Sequence, residues 1–412
     1  MAPHFDPTDP AVAIDPYPTY EALREAVPVW YSADTGLHFI TRHADVHEAW
    51  RDRRLGSDFG DRSGFDASAQ AWRDPRYAEF AKFERWDILA LEPPDHTMLR
   101  RLVLAAFTPR AVEAQRPGIE ARVASLFDAA WERGTLDMVR DVSEPLSLGV
   151  ICDLIGVPIG DGPYILGLSH DVVSMYEPTP PDAVKARANE AAREFMGYTY
   201  ELIRDRRGQP GSDLLSGLIA AKVDGQHLDD DQIASTAMVL LMAGHEASVN
   251  AASNGVAAFA AHPDEWRALR EGTVAIGPAV EEVLRWDPPL QYFTRWVLED
   301  GFTVGGASGD SPTIPVPVGQ RVGLMIGSAN RDPRRYPDPT AFRIARGETA
   351  HLSFGGGIHF CIGAPLARIE LGAQFLELAR RVPDLGLGDG IERRPSYQFR
   401  GYQRLPVVLP RG

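Results

Sequence analysis

The sequence predicts a mainly α fold with a minor β component, and three observations predict it. Helical periodicity dominates the middle of the chain; one apolar helix candidate, from about Asp230 to Ala261, would run roughly 45 Å at 1.5 Å per residue; and β-like stretches are few and short. Tyr17–Ala26 follows a Pro-Tyr-Pro start, Asp95–Phe107 opens on an acidic residue suited to a helix N-terminus, and Ala111–Arg133 and Ala183–Arg207 carry amphipathic spacing. The strand candidates are Val29–Tyr31, Leu37–Ile40, Trp296–Val304 and Arg321–Ile326. Residues Phe59–Trp86 are aromatic-rich and helix-poor and read as a mobile lid.

Composition bounds the function. With 44% hydrophobic residues in 412 the chain has material for a large core, and a net charge of −15 repels phosphate backbones and anionic lipid, so neither nucleic acid nor membrane is expected as a partner. The two cysteines, Cys152 and Cys361, cannot build a disulfide framework, a cluster held by four cysteines or, by themselves, a structural zinc site, and their scarcity suits a reducing cytoplasm. The N-terminus lacks the basic and apolar runs of a signal peptide, and no stretch of about 18 apolar residues follows. Without a long linker, a repeat or a low-complexity tract, the expectation is a single cytoplasmic domain over residues 1–412, acting as a monomer.

The long helix candidate starts at Asp229, Asp230 and Asp231 and stops before Pro263. Its centre, Ala237–Ser248, is apolar nearly all round, which implies burial. Gly244 costs about 1 kcal/mol relative to Ala in a helix interior, and Glu246 puts a carboxylate where an apolar side chain belongs. Either helices pack closely at Gly244 and an Arg elsewhere pairs with Glu246, or a ligand lies against the glycine with an acid beside it.

The second unusual stretch is His351-Leu-Ser-Phe-Gly-Gly-Gly-Ile-His-Phe-Cys-Ile-Gly-Ala-Pro-Leu-Ala-Arg368, followed by an amphipathic helix through Arg381. Gly355, Gly356 and Gly357 permit left-handed backbone and close approach, and Cys361 falls at or near the helix N-terminus, where backbone N–H groups favour thiolate. Such a cysteine is a nucleophile, a metal ligand, or simply a buried thiol; a nucleophile needs a base, and the spacing of His359 does not establish one.

At these residues the sequence resembles the cytochrome P450 haem-thiolate monooxygenases. Phe354-x-x-Gly357-x-His359-x-Cys361-x-Gly363 matches that family's haem-binding loop, and Glu282-x-x-Arg285 matches its second hallmark upstream. The match extends to Ala243-Gly-His-Glu246, to Pro94-Asp-His-Thr-Met-Leu-Arg-Arg101 and to Ser328-Ala-Asn-Arg-Asp-Pro333, covering nearly the whole chain in one order. The resemblance implies the cytochrome P450 fold, with the long central helix over haem b, an axial thiolate from Cys361 and O2 as co-substrate. It assigns His96, Arg100, Arg295 and His359 to the haem propionates, places Phe354 and Gly363 against the haem, and makes Glu282 and Arg285 structural, in a network with an Arg of the segment before the cysteine loop.

One departure from the family pattern matters. Family members typically carry an acid followed by Thr in the long helix, where the hydroxyl helps proton delivery; here Glu246 is followed by Ala247 and then Ser248, with Gly244 two residues earlier. The expected activity is hydroxylation with a substrate hydroxyl or ordered water in place of the Thr. Oxidative coupling or ring closure of an aromatic substrate, peroxide-driven use, and a non-catalytic haem-thiolate binding protein stand as alternatives, and a cysteine hydrolase as the non-haem one. No fused reductase is expected, and the resemblance to soluble bacterial members implies that electrons from NAD(P)H come through a ferredoxin and a ferredoxin reductase, with Arg100, Arg101, Arg110 and Arg368 as a candidate docking patch.

By family position, the substrate contacts are Trp86, Ile88 and Leu89, Leu240 and Ala243 on the long helix, Leu290, Gln291, Tyr292 and Phe293 after the Glu-x-x-Arg helix, and Tyr397, Gln398 and Phe399 near the end. These suggest a medium or large apolar small molecule with few polar groups, a natural-product intermediate or steroid. The segment Gly305–Pro317 is longer than the hairpin usual there and has no assigned role.

Overall fold

The computed structural model describes residues 5–410 apart from 7–8, 34, 58–73, 177–179, 223–224, 226 and 348–349. The chain divides into two compact units: one takes residues up to Gly56, Gln115–Leu146 and Glu246 onward, the other Ser57–Ala114 and Ser147–His245. Each unit is discontinuous in sequence, so no single cut separates them and no linker composition marks a boundary. The long helix, Asp230–Ala261, contributes to both. Among the described residues, no helix is long and apolar enough to cross a membrane.

The first unit holds a five-stranded sheet in the spatial order Val29–Ser32, Leu37–Ile40, Arg321–Leu324, Phe293–Val297, Leu55–Gly56. The first two strands form an antiparallel hairpin with Val29 opposite Ile40. Leu37–Ile40 runs parallel to Arg321–Leu324, which pairs antiparallel with Phe293–Val297. Leu37–Ile40 is buried at all four positions, as expected of an apolar strand covered on both faces. The predicted strand Trp296–Val304 is two elements: Phe293–Val297 ends in the sheet, the chain turns through Gly301 in the left-handed region (φ 76°), and Thr303–Val304 pairs instead with Ile314–Pro315.

That second pairing accounts for the orphan segment Gly305–Pro317. Its tip folds back onto the helix His43–Ala49, where buried Asp45 accepts hydrogen bonds from Ala307 N (2.8 Å), Ser308 N (3.2 Å), Ser308 Oγ (3.2 Å) and Ser311 Oγ (2.7 Å). Buried Arg42 donates to Asp310 (2.6 Å), and Arg334 reaches Asp310 and Glu25. The insertion is a clasp on this helix.

The helices of this unit pack on the C-terminal half of the long helix. A Cβ at Gly255 would overlap the Phe375 ring and sit 2.9 Å from Val283, so only glycine lets the helices Ile276–Trp286 and Ala364–Arg381 come this close. The predicted helix Ala111–Arg133 is broken. Thr108 caps a short helix of the second unit, Pro109–Glu113, through Ala111 N (3.1 Å), and in the first unit Arg116–Arg133 starts with Pro117 in its first turn.

In the second unit, Asp95–Ala106, Gly162–Val173 and Asp182–Gly208 are helices. Of the predicted lid, residues 59–73 lie outside the described residues. The remainder is not helix-poor: Ala78–Glu84 is a helix that fully buries Phe80 and Phe83, with Phe80 N bonded to Asn189 (3.0 Å) and Phe83 O to Ser235 Oγ (2.7 Å). Aromatic residues read as lid composition instead supply one apolar helical face.

Candidate functional site

The cysteine loop belongs to the first unit. Gly355 (φ 68°) and Gly357 (φ 63°) take the left-handed conformation, whereas Gly356 is extended. The loop closes on itself through Gly355 N to Leu352 O (2.9 Å) and Cys361 N to Phe354 O (2.9 Å), and Gly363 caps the helix that follows. This holds the half-buried Cys361 thiol just ahead of a helix N-terminus. His359 is half-buried two residues before it.

Trp50, which the sequence reasoning passed over, packs against the other side of the loop. A Cβ at Gly357 would overlap the Trp50 carbonyl oxygen, one at Gly356 would lie 3.0 Å from Trp50 Cβ, and Gly355 faces the ring. The Arg295 guanidinium stacks on the same indole, 4.5 Å from its centroid. The glycine run is therefore required by the tryptophan as much as by any ligand.

Behind the loop, Arg368 lies over the Phe354 ring at 4.6 Å and grips Glu281, Nε to Oε1 at 2.6 Å and Nη2 to Oε2 at 2.9 Å. His351 Nε2 is 3.2 Å from the same carboxylate. Burial pushes the Glu281 carboxyl up, but hydrogen bonds from Arg368 and His351 outweigh it and hold the group at about 2. Arg368, expected in a docking patch, is thus committed inside its own unit. Glu282 and Arg285, neighbours on the same helix, form a buried bidentate pair (2.7 and 2.8 Å), and Arg346 Nε joins Glu282 at 3.3 Å. Arg285 also donates to the carbonyls of Asn330, Pro339 and Ala341, which ties the chain before the cysteine loop to this helix.

On the long helix, the accessible residues are informative. From Gln232 to Val256 every residue is buried except Leu240, Ala243, Gly244 and Ala247, spaced i, i+3, i+4, i+7. They form one open stripe on an otherwise enclosed helix. Gly244 also serves packing, since a Cβ there would sit 3.1 Å from Ile151 Cδ1. Glu246 and Ser248 lie off the stripe and are buried. Of the two readings left open for Glu246, the paired one is seen: Arg394 Nη1 is 2.9 Å from Glu246 Oε2.

A second buried acid, Glu370 on the helix after the loop, escaped the sequence reasoning. Burial alone pushes its carboxyl up to about 8, and its Oε2 has no hydrogen-bond partner among the described residues.

The remaining candidates separate by burial. Leu290, Phe293, Gln398 and Phe399 are half-buried, with Leu290 bridged to Phe399. Gln291, Tyr292 and Tyr397 are instead built into the core. The Gln291 amide accepts from Tyr20 (3.0 Å) and donates to Pro288 O (2.8 Å), while Tyr397 bonds Tyr20 (2.5 Å) and packs with Tyr292. The polar tips of Gln291 and Tyr397 are satisfied within the protein and Tyr292 is buried in the same cluster, which corrects their reading as substrate contacts. In the second unit His96 is buried and Arg100, one helical turn on, is half-buried; Trp86 is half-buried, Ile88 buried and Leu89 exposed.

These residues fit a haem. A thiol precedes a helix, a guanidinium and a buried indole whose N–H has no partner among the described residues stand beside its loop, and within the same unit the small Ala247 leaves its place on the long helix open. No group of three or more metal-ligating side chains occurs among the described residues.

Comparison with known proteins agrees. The cytochrome P450 family model matches residues 164–279 and 277–380. The 6-deoxyerythronolide B hydroxylase of Saccharopolyspora erythraea is 36% identical, covering 96% of each chain, and the vitamin D(3) 25-hydroxylase of Pseudonocardia autotrophica is 35% identical over 96% of this chain and 94% of its own. The crystal structure of P450BioI with a hexadec-9Z-enoic acid ligated acyl carrier protein superposes with a TM-score of 0.87 at 32% identity, covering 97% of this chain and all of that one. With the mainly α fold, the cysteine loop and full-length kinship in agreement, this chain belongs to the cytochrome P450 family and is a P450 monooxygenase.

Proposed function

We propose that this monooxygenase hydroxylates a medium or large apolar small molecule, with the proton-relay hydroxyl supplied by substrate or water rather than by the protein. The open stripe of the long helix carries this reading: Ala247 lies on it where the family usually has Thr, and the nearest hydroxyl, Ser248, is buried about 100° round the helix. When bound, haem supplies the activation of O2 at iron, with electron density from the Cys361 thiolate favouring O–O cleavage.

The protein's own residues do the rest. Arg295 and His359 suit the haem carboxylates by charge, with Phe354 and Gly363 against the ring; for His96 and Arg100 the assignment rests on the family motif. Glu246 holds and passes a proton, and Arg394 fixes it through Oε2. Leu240, Ala243 and Gly244 leave room beside the helix, and Trp86, Ile88, Leu89, Leu290, Phe293, Gln398 and Phe399 supply apolar contacts. The substrates named for two relatives, 6-deoxyerythronolide B and vitamin D3, are both large and mostly apolar, which supports this class. A ferredoxin and its reductase pass on electrons from NAD(P)H. The protein works in the cytoplasm.

A reduced-CO spectrum of wild type and Cys361→Ala tests the ligand, because the thiolate-type Soret band must vanish in the variant. Ala247→Thr tests the relay. Added to a substrate that brings its own hydroxyl, the new side chain should change product formed per reductant consumed, and an unchanged ratio refutes the role given to position 247.

A further inference from the structure

Among the described residues of the first unit, Trp50 is an aromatic side chain that meets the cysteine loop and a proposed haem-carboxylate residue at once. It is 8% exposed and belongs to the apolar cluster under the five-stranded sheet. Its backbone and Cβ fill the space over Gly356 and Gly357, and its ring faces Gly355 and carries the Arg295 guanidinium. Its indole N–H, however, has no hydrogen-bond partner among the described residues.

A buried donor left unmade costs about 1–3 kcal/mol, and Trp is normally buried with its N–H satisfied. Another enclosed tryptophan, Trp266, obeys that rule, donating to Val382 O at 3.1 Å. A Phe or Leu would fill the space at Trp50 without the penalty. An acceptor from outside the described residues would remove that cost. It must tolerate a guanidinium stacked on the same ring, which excludes a cation and favours an anion. It must also reach the wall of the cysteine loop. A carboxylate meets both conditions, and haem carries two.

We propose that Trp50 is a further haem-binding residue, its indole N–H donating to a haem carboxylate alongside Arg295. The proposal rests on the haem-thiolate reading above and extends the donor set beyond the family motifs. The stacked guanidinium raises the positive charge seen by the carboxylate, while the indole adds a directed bond that the stacked geometry of Arg295 does not by itself provide. Because the same residue wedges the glycine loop, cofactor carboxylate and cysteine loop share one support.

The test compares holo-protein of wild type and Trp50→Phe, each reconstituted with haem and with haem dimethyl ester, by the rate of haem transfer to apomyoglobin. Phe keeps an aromatic ring under Arg295 and removes the N–H; the ester keeps the porphyrin and removes the carboxylate charge. With haem, Trp50→Phe should speed transfer roughly 10-fold or more, the effect of a hydrogen bond to a charged group. With the ester, the two proteins should differ little. An equal acceleration with both cofactors would make Trp50 a packing residue only and overturn the proposal, as would no acceleration with haem.

Should Trp50→Phe fail to hold cofactor, the wild type alone decides. Its ultraviolet resonance Raman indole N–H band should shift between haem and ester, and an unmoved band refutes the bond. The reduced-CO band of the wild type keeps the two readings apart: its absence defeats the thiolate assignment, whereas its presence with a silent Trp50→Phe defeats only this inference.

Discussion

Replacing Glu370 by Gln should change how stability depends on pH more than it changes stability at any one pH. In the folded protein, burial alone raises the Glu370 carboxyl from an ordinary 4.5 to about 8. The folded state therefore keeps this proton over a range where the unfolded state has lost it. Its contribution to stability is fully present below about pH 4.5 and is lost as pH rises to about 8, above which it is flat. At about 1.4 kcal/mol per pH unit the whole rise is worth on the order of 5 kcal/mol, and roughly 4 of these fall between pH 5 and 8. Gln cannot ionise, so the variant escapes this loss. With an unfolding entropy of about 2.1 cal/mol/K per residue, 412 residues convert 1.4 kcal/mol to roughly 1.6 °C. Melting of both proteins at one scan rate should show the variant gaining on wild type by about 5 °C from pH 5 to pH 8. A difference in Tm that stays flat across that range would mean that Glu370 is not neutral in the fold, and the burial argument would fail.

Other expectations follow from the same geometry. Arg394→Gln leaves the buried Glu246 without its 2.9 Å partner, so it should lower product per reductant consumed and cost about 2 kcal/mol in thermal melting, with Arg394→Lys recovering part of both. Glu281 is held at about 2, so its stabilisation is present above about pH 4.5 and lost as pH falls towards 2; Glu281→Gln should remove that acid-dependent loss and destabilise the protein at pH 7 by roughly 2–3 kcal/mol, read by denaturant melting. Asp45→Ala breaks four hydrogen bonds of the clasp and should cost about 2 kcal/mol while making residues 305–312 the first site of limited proteolysis.

Much of the fold was legible because its signals are local. The strands Val29–Ser32 and Leu37–Ile40 and the helices Tyr17–Ala26, Asp95–Ala106 and Asp230–Ala261 follow from runs of apolar residues with their caps and prolines. Where local signals conflicted, the sequence reading failed. Pro117 outweighed the amphipathic spacing of Ala111–Arg133, and the turn at Gly301 divided a continuous apolar run into strands of two different sheets.

By itself, the sequence determined the family and the identity of the odd residues in the long helix, since those are matters of residue type at fixed spacing, and it offered Cys361 as the thiolate ligand. For Glu246 it left two readings open, an arginine elsewhere in the chain or a ligand beside Gly244. Only the tertiary structure decided that Glu246 meets Arg394, that Gln291 and Tyr397 spend their polar atoms on the core with Tyr292 buried beside them, that Arg368 serves Glu281, and that Trp50 stands against the loop with its N–H unmet among the described residues. The reason is physical. A pairing or a burial energy depends on which distant segments meet, and that is set by packing of whole faces, for which no single stretch of chain carries a signal.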